Sequence, residues 1–339
     1  MPYRHAHSAL SVSLDRVVRM KVVVTGGAGF IGANLCRRLA SSSPVSQVVA
    51  FDDLSTGLAA NLDGIAAELF EGSILHPDEL DAALAGAAAV VHLAARPSVP
   101  RSLADPIATH EVNATGTVRV LEAARRAGNP HVIVTSSSSV YGSNSCLPKH
   151  EDLAPAPLSP YAASKLATES YALAWASSFG LDVLAFRLFN VFGPLQPAGH
   201  AYAAVVPAFV EAALAGEALV VHGDGLQTRD FTYVDSVTEV ITAAVTDRVS
   251  APGPVNLAFG GRSSVMQLIG LLESVLGREL ERRHVEARPG DVRDSQADQG
   301  RLRALFPSIE AVGLREGLAR TVAWFEERER GELLPARRS

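Results

Sequence analysis

Short apolar runs rich in β-branched residues alternate with helix-like segments in the first part of the chain. The run Lys21–Thr25 ends in glycines and predicts a strand. Phe30–Ala40 follows with apolar residues at helical spacing. The same alternation predicts strands at Gln47–Phe51, Ala88–Leu93, His131–Thr135 and Asp182–Leu188, and helices near Asp105–Ala127 and Pro160–Phe179. Apolar strands between helices are typical of a parallel sheet covered on both faces, so the predicted fold class is α/β with a doubly wound parallel sheet.

The rhythm changes after Gly193-Pro194, where prolines and glycines interrupt it. We therefore place a smaller C-terminal α/β lobe in residues 193–331, with the first domain in residues 20–192 and a disordered extension in residues 1–19. A segment near 232–262 is expected to return to the first domain, with Val255–Phe259 as a strand of the main sheet. The other elements predicted for the lobe are a helix near Ala208–Ala215, a strand near Leu219–His222, the segments Ser263–Leu276 and Arg278–Asp298, and a closing helix near Arg315–Arg330.

The composition is that of an ordinary globular protein, with 47% hydrophobic and 19% charged residues among 339. A net charge of −6 provides no basic field for nucleic acid, so a phosphate-bearing ligand must be held by local groups. Two isolated cysteines, Cys36 and Cys146, predict neither a disulfide framework nor a zinc site, and we expect no bound metal. Residues 1–19 contain no apolar core long enough for a signal peptide or a membrane span. We expect a cytoplasmic protein with neither a nucleic-acid nor a membrane partner.

A glycine-rich turn joins the first predicted strand to the first predicted helix. It reads Gly26-Gly27-Ala28-Gly29-Phe30-Ile31-Gly32, a GxxGxxG pattern. Glycines there let the backbone approach a pyrophosphate, and the free N–H groups at the helix start face the anion. Asp52 ends the next strand, twenty residues past Gly32, where a carboxylate can accept hydrogen bonds from an adenosine ribose. An acid there repels a 2′-phosphate, so the pattern predicts a Rossmann-type domain that binds NAD rather than NADP.

Two further strands end in residues suited to a ligand at the carboxyl edge of the sheet. His92-Leu93-Ala94-Ala95 follows one of them, and the small alanines leave room for a cofactor. His92 itself fits a packed strand residue as well as a functional one. Thr135-Ser136-Ser137-Ser138-Ser139 ends the next strand with a row of hydroxyls that can bind a sugar.

Tyr161 and Lys165 lie four residues apart, on one face of a predicted helix. A nearby ammonium favours the phenolate and lowers the pKa of a tyrosine from its usual value of about 10. Together with the glycine-rich turn and the serine run, this pair predicts a nicotinamide-dependent redox site.

The order of these motifs resembles the extended short-chain dehydrogenase/reductase superfamily, specifically its NAD-dependent epimerase/dehydratase branch. The resemblance covers residues 20–330 and is carried by TGGAGFIG, DDLSTG, HLAA, TSSSSVYG, SPYAASK, RLFNVFGP, GDGLQTRDFTYVD and RPGDVRDSQAD. It implies a catalytic triad of Ser137, Tyr161 and Lys165. In the implied mechanism Tyr161 removes a proton from a sugar hydroxyl while hydride passes from the same carbon to the nicotinamide. The resemblance also implies a set of cofactor-binding residues: Gly26, Gly29, Phe30, Ile31, Gly32, Asp52, Ser73, Ile74, Leu93, Ala94, Ala95, Asn113 and Lys165.

The second half of the chain carries the signals for a UDP-sugar substrate. By resemblance, Asn190, Arg229, Arg288 and Asp291 contact its diphosphate, ribose and uridine, and arginine forks suit phosphate oxygens. The remaining substrate positions implied by the resemblance surround the sugar: Ser98, Ser137, Ser138, Tyr161, Ala204, Val205 and Ser295. Small residues at these positions, Ser295 above all, favour 4-epimerases that accept UDP-N-acetylhexosamines.

The absence of acidic residues just after Ser137 narrows the choice among the reactions of the family. Sugar 4,6-dehydratases of this superfamily carry Asp-Glu just after the catalytic hydroxyl, and UDP-glucuronate decarboxylases carry Glu before Val-Tyr-Gly, whereas Ser138 and Ser139 stand there in this chain. The prediction is therefore a 4-epimerase that interconverts UDP-GlcNAc and UDP-GalNAc, with UDP-Glc and UDP-Gal as a further pair. A UDP-glucuronate 4-epimerase, a dehydratase or oxidoreductase of the same family, and an idle NAD-binding sensor remain alternatives.

Two further expectations rest on the resemblance. The family commonly has an acid after Gly72 that caps the adenine amino group, and this chain has Ser73 instead. A homodimer is expected through a four-helix interface built from Asp105–Ala127 and Pro160–Phe179.

Overall fold

The computed structural model describes residues 20–198, 203–287 and 292–331. Its strands, in chain order, are β1 (Met20–Thr25), β2 (Val45–Asp52), β3 (Glu68–Glu71), β4 (Ala89–His92), β5 (His131–Ser137), β6 (Val183–Leu188), β7 (Val191–Phe192), β8 (Leu219–His222), β9 (Thr228–Arg229), β10 (Thr232–Tyr233), β11 (Val255–Leu257), β12 (Ser263–Ser264) and β13 (Arg282–Val285). Its α-helices are α1 (Phe30–Ala40), α2 (Pro77–Leu84), α3 (Val99–Ala104), α4 (Pro106–His110), α5 (Gly116–Arg126), α6 (Pro160–Phe179), α7 (Val205–Ala215), α8 (Val234–Thr246), α9 (Val265–Leu276), α10 (Gly300–Leu305) and α11 (Leu314–Glu329).

Seven strands form one parallel sheet in the order β11-β6-β5-β4-β1-β2-β3. The direction of winding reverses at β1, whose two neighbours are β2 and β4. In such sheets ligands bind outside the carboxyl ends of the strands, at the point where the order reverses. The predicted fold class, a Rossmann-type doubly wound α/β fold, is confirmed.

The central sheet is buried on both faces, which explains why its strands are apolar without alternation. In β1, Val22 and Val24 pack into the layer that contains α1, α8 and α10. Val23, between them, packs into the opposite layer, with α2, α5 and α6. Successive side chains of a strand point to opposite faces, so both layers need apolar residues.

A separate apolar cluster lies in the C-terminal part of the chain. It joins α7, α9 and α11 to β8 and to the ring of Tyr233. The strands there form three pairs, β10 with β7, β12 with β9 and β13 with β8. The boundary drawn between residues 192 and 193 stays a prediction.

Several short elements of the structure were not predicted, among them β3, α2, α3, β7, β9, β10 and α10. The strand β3 was not predicted because Glu68–Glu71 holds only two apolar residues, and a short apolar run is a weak signal. The helix predicted near Asp105–Ala127 is divided into α4, a π-turn at Glu111–Thr115 and α5. The strand predicted at Val255–Phe259 joins the main sheet beside β6, over the shorter range of β11. No helix in the described ranges has the length and the apolar character needed to cross a bilayer.

Candidate active site

The glycine-rich turn lies at the carboxyl end of β1 and begins α1. Gly26 has a φ of +71°, in the left-handed region that favours glycine, and a Cβ there would lie 2.8 Å from the backbone nitrogen of Ala94. A Cβ on Gly32 would lie 2.0 Å from the carbonyl oxygen of Gly26. Gly29 is the N-cap of α1 and offers no side-chain cap, and the first turn of α1 holds no acidic residue. The N–H groups at this helix start are therefore suited to the pyrophosphate of a dinucleotide.

We expect Gly32→Ala to lower the free energy of unfolding by about 1–3 kcal/mol, because backbone atoms must shift to admit the methyl group. Retention of NAD is expected to fall with it. Gly270→Ala is the matched control, since Gly270 lies within α9 and a Cβ there has no atom within 4 Å. That change is expected to raise stability by about 0.5–1 kcal/mol. Urea denaturation and the dinucleotide content of the purified proteins measure both effects, and equal stabilities for the two variants would contradict the argument.

Asp52 connects the glycine-rich turn to the loop that follows β2. Its Oδ2 accepts a hydrogen bond from the Ala28 backbone nitrogen and its Oδ1 accepts one from the Leu54 backbone nitrogen, each at 2.9 Å. Burial raises the pKa of Asp52, and these two N–H groups oppose the shift. The carboxylate therefore lies against the turn where the ribose of a dinucleotide is expected.

The other predicted cofactor positions lie around this turn. Leu93 and Ala94 follow β4, and their backbone nitrogens donate to the carbonyl oxygen and the hydroxyl of Thr25, at 3.0 and 3.3 Å. Ile74 is buried against Gly116, where a Cβ would lie 2.5 Å from its Cδ1. The tertiary structure thus brings residues after β1, β3 and β4 to one edge of the sheet.

The side-chain amide of Asn113, a predicted cofactor-binding residue, makes its hydrogen bonds within the protein. Its amide oxygen accepts from the Arg96 backbone nitrogen at 2.7 Å. Its amide nitrogen donates to the Arg96 carbonyl oxygen and to the Ser164 hydroxyl, at 3.2 and 2.9 Å. Both N–H donors are used within the protein, so Asn113 ties the loop after β4 to α6.

Ser137 and Tyr161 meet where β5 ends and α6 begins. Ser159 caps α6 by accepting from the Ala162 backbone nitrogen at 3.1 Å, and Pro160 is its first residue. Tyr161 follows directly and hydrogen-bonds with Ser137. The hydroxyl of Ser139 also donates to Ser137 Oγ, at 2.9 Å.

The electrostatics of the pair Tyr161 and Lys165 differ from the expectation. Burial raises the pKa of Tyr161, and the hydrogen bond with Ser137 opposes this shift without cancelling it. Lys165 Nζ donates to the Thr135 carbonyl oxygen at 2.8 Å, and burial lowers its pKa to about 8. The pKa of Tyr161 is therefore raised rather than lowered as expected, and Lys165 is not among the groups that shift it.

Several of the predicted substrate positions lie close together near β9. Asn190 Nδ2 donates to the Asp230 carbonyl oxygen at 3.2 Å, and the Ser295 backbone nitrogen donates to the Thr228 carbonyl oxygen at 3.1 Å. Both bonds lead to residues that flank Arg229. This segment therefore collects three of the predicted positions.

The remaining predicted positions are distributed over other elements. Ser98 precedes α3, and Ala204 and Val205 begin α7. Ser98 and Asn190 have φ values of +95° and +31°, which are strained for residues with side chains and typical of functional sites. Arg288 and Asp291 lie outside the described residues, as does the predicted extension at residues 1–19.

The sequence matches a known family over most of its length. A model of the NAD dependent epimerase/dehydratase family matches residues 22–258. The chain belongs to this family.

Individual members of the family are similar to the chain along almost its full length. The UDP-glucose 4-epimerase of Mycolicibacterium smegmatis is 39% identical over 323 residues, which cover 91% of this chain and 99% of the relative. The structure of UDP-N-acetylglucosamine 4-epimerase from Methanobrevibacter ruminantium M1, in complex with UDP-N-acetylmuramic acid, has a TM-score of 0.86 at 35% identity and covers 91% and 99% of the two chains. UDP-glucuronic acid 4-epimerase from Bacillus cereus, in complex with UDP-glucuronic acid and NAD, has a TM-score of 0.83 at 30% identity, covering 91% and 100%. The predicted family, NAD as the cofactor and the isomerase class are confirmed.

The geometry of this epimerase/dehydratase site fits NAD. The crowded glycines and the uncapped start of α1 suit its pyrophosphate, and Asp52 suits its adenosine ribose. When bound, NAD supplies a hydride acceptor and a positively charged nicotinamide ring. Tyr161 and Ser137 interact with each other, and a phenol and a hydroxyl are groups that could hold and move a proton of a substrate hydroxyl.

The sequence left open whether His92 is a packed strand residue or a functional one. In the structure its ring is buried and hydrogen-bonded to two threonines. His92 Nδ1 lies 2.8 Å from the Thr25 hydroxyl and Nε2 lies 3.0 Å from the Thr117 hydroxyl. Burial lowers the pKa of His92 to about 3, so the ring is neutral at physiological pH. Partners 67 and 25 residues away in the chain leave no local sequence signal.

Proposed function

We propose that this enzyme is an NAD-dependent 4-epimerase of UDP-sugars that interconverts UDP-GlcNAc and UDP-GalNAc, with UDP-Glc and UDP-Gal as further substrates. Tyr161 takes the proton of the C4 hydroxyl, and Ser137 orients that hydroxyl. Lys165 holds the nicotinamide ribose. Removal of the hydroxyl proton by Tyr161 and of the C4 hydride, for which NAD would be the acceptor, leaves a 4-keto-sugar. Once this sugar has turned within the site, the same hydride and a proton would return to C4 and to its oxygen from the other face.

The observation that carries this proposal is the row of hydroxyls beside Tyr161. Ser139 hydrogen-bonds Ser137, and neither Ser138 nor Ser139 supplies a carboxylate. Elimination of water or loss of carbon dioxide from a keto-sugar needs an acid or a base in addition to the redox pair. A site with hydroxyls at these two positions supports a reversible oxidation at C4 and no further step.

The choice of an N-acetylhexosamine rests on small residues around the expected sugar. The backbone nitrogen of Ser295 donates to the carbonyl oxygen of Thr228, the neighbour of Arg229. Ala204 is the residue that precedes the first turn of α7. Short side chains leave room for an acetamido group that a hexose lacks. The likeness to the UDP-N-acetylglucosamine 4-epimerase noted above supports the same substrate class.

The proposal is tested by incubating the purified enzyme separately with UDP-GlcNAc, UDP-Glc and UDP-glucuronate, without added NADH, and resolving products by proton NMR. We expect C4 epimers of the first two. Ser295→Tyr is expected to lower turnover of UDP-GlcNAc by about 10- to 200-fold relative to UDP-Glc, since a bulky ring removes the space for the acetamido group. Ser295→Ala is the matched control and keeps both reactions.

Other outcomes would assign the site differently. An epimer of UDP-glucuronate alone would identify a UDP-glucuronate 4-epimerase. A product that has lost water, or one that needs stoichiometric NAD, would identify a dehydratase or an oxidoreductase. Absence of a product from all three sugars, with NAD bound, would favour an idle NAD-binding sensor.

The expected homodimer stays a prediction, and exposed apolar side chains on the helices in question support it. Tyr171 and Phe179 of α6 are 42% and 48% exposed. Ile107, on α4, is exposed as well. A second copy of the chain would bury such a face.

A further inference from the structure

A carboxylate lies over the backbone that follows β3, in a position that the sequence did not indicate. Glu79 belongs to the first turn of α2. Its Oε2 accepts a hydrogen bond from the Ser73 backbone nitrogen at 2.8 Å, and its Oε1 lies 3.1 Å from His76 Nδ1. These two contacts hold the carboxylate beside Ser73.

The backbone beneath Glu79 is shaped for this close approach. A Cβ on Gly72 would lie 3.0 Å from Glu79 Oε2 and 2.9 Å from the Phe51 ring. The Gly72 backbone nitrogen donates to the Asp52 carbonyl oxygen at 3.0 Å. Asp52, the residue expected at the adenosine ribose, and Glu79 therefore flank the same short stretch of chain at the carboxyl edge of the sheet.

Glu79 is charged at neutral pH and can only accept hydrogen bonds. The Ser73 N–H and His76 lower its pKa. The side chain is 40% exposed, and each carboxylate oxygen can accept a second bond beyond the one that it makes within the protein. The hydroxyl of Ser73, by contrast, is a neutral group that already accepts from the Leu75 backbone nitrogen at 3.3 Å.

An adenine base presents one strong donor, its exocyclic amine, and a hypoxanthine base presents a carbonyl oxygen there instead. We propose that Glu79 accepts a hydrogen bond from the exocyclic amine of the adenine of NAD, and so supplies from α2 the acid that is absent at position 73. The proposal rests on NAD as the cofactor and is independent of the sugar substrate. It makes Glu79 a residue that selects adenine over hypoxanthine.

The test is a competition between NAD and nicotinamide hypoxanthine dinucleotide, whose base carries a carbonyl oxygen in place of the exocyclic amine and a hydrogen on N1. The enzyme is equilibrated with an equimolar mixture of NAD and nicotinamide hypoxanthine dinucleotide, and the retained dinucleotides are separated by anion-exchange chromatography. We expect the native enzyme to retain NAD in at least about tenfold excess, the usual discrimination for a hydrogen bond to a charged group. Glu79→Gln presents an amide that can donate to the hypoxanthine carbonyl, and its ratio is expected to fall about tenfold, towards unity.

Matched variants make the result specific to this carboxylate. Asp78→Asn removes the neighbouring acid in the same turn of α2 and is expected to keep the native ratio. Ser73→Ala is also expected to keep it, and Glu79→Ala is expected to lose it. A native ratio in both Glu79 variants, or a collapse of the ratio in Ser73→Ala, would overturn the proposal. Because the readout is the ratio of bound dinucleotides, the result stands whether or not the enzyme epimerises any of the sugars tested.

Discussion

Replacing Tyr161 by phenylalanine is expected to lower kcat for epimerisation by about 10³-fold, within the range found for removal of a general acid–base group. The phenolic oxygen is the group that hydrogen-bonds with Ser137 at the start of α6. Its loss leaves the glycine-rich turn, Asp52 and Lys165 in place. The variant should therefore retain NAD and bind the UDP-sugar while turning it over very slowly, as kcat from NMR time courses and the content of bound dinucleotide would show.

Tyr171→Phe is the matched control for this change. Tyr171 lies on the same helix, is 42% exposed, and loses the same oxygen atom in the substitution. Its kcat is expected to equal that of the native enzyme. If Tyr161→Phe kept more than about a tenth of the native kcat, a loss below the usual acid–base range, another group would have to move the proton.

Replacing Arg187 by leucine is expected to lower the free energy of unfolding by about 3–5 kcal/mol, because the change leaves a buried carboxylate without its partner. Arg187 Nε and Nη2 donate to the two oxygens of Glu169 at 3.0 and 2.6 Å, and the two side chains are 3% and 4% exposed. The guanidinium also lies 4.7 Å from the centre of the Tyr141 ring. The pair joins α6, the helix of Tyr161 and Lys165, to β6. Chemical denaturation measures the effect.

Arg248→Leu is the control for Arg187→Leu. Arg248 Nη2 lies 2.9 Å from Asp182 Oδ2, but the two side chains are 46% and 55% exposed. An exposed pair is worth about 0–1 kcal/mol, so little stability should be lost. The double variant Arg187→Leu/Glu169→Leu is expected to be more stable than Arg187→Leu alone, since it leaves no unpaired charge. Equal losses of unfolding free energy in Arg187→Leu and Arg248→Leu would show that the buried pair stabilises the protein no more than the exposed one.

Local signals in the sequence predicted the strand and the helix that flank the glycine-rich turn, and a local signal also marks the start of α2. The strand before Gly26 and the helix after Gly32 were predicted because an apolar β-branched run and a helical period flank the glycines. The helix α2 was missed although Pro77 at its start and the acids that follow are a recognisable N-terminal signal. The π-turn around Asn113 was not predicted, and the side chain of Asn113 bonds to residues 17 and 51 positions away, Arg96 and Ser164.

The sequence by itself determined the doubly wound fold and predicted the glycine-rich turn, because both depend on residues near one another in the chain, whose periodicity and spacing reflect local backbone geometry. The roles of Ser137, Tyr161 and Lys165 were implied by the resemblance to the family and stay a prediction. Only the tertiary structure decided that burial raises the pKa of Tyr161, that Arg187 pairs with Glu169, and that Glu79 lies against Ser73. Desolvation and side-chain pairing depend on which elements pack together, and packing is a property of the whole chain rather than of a segment.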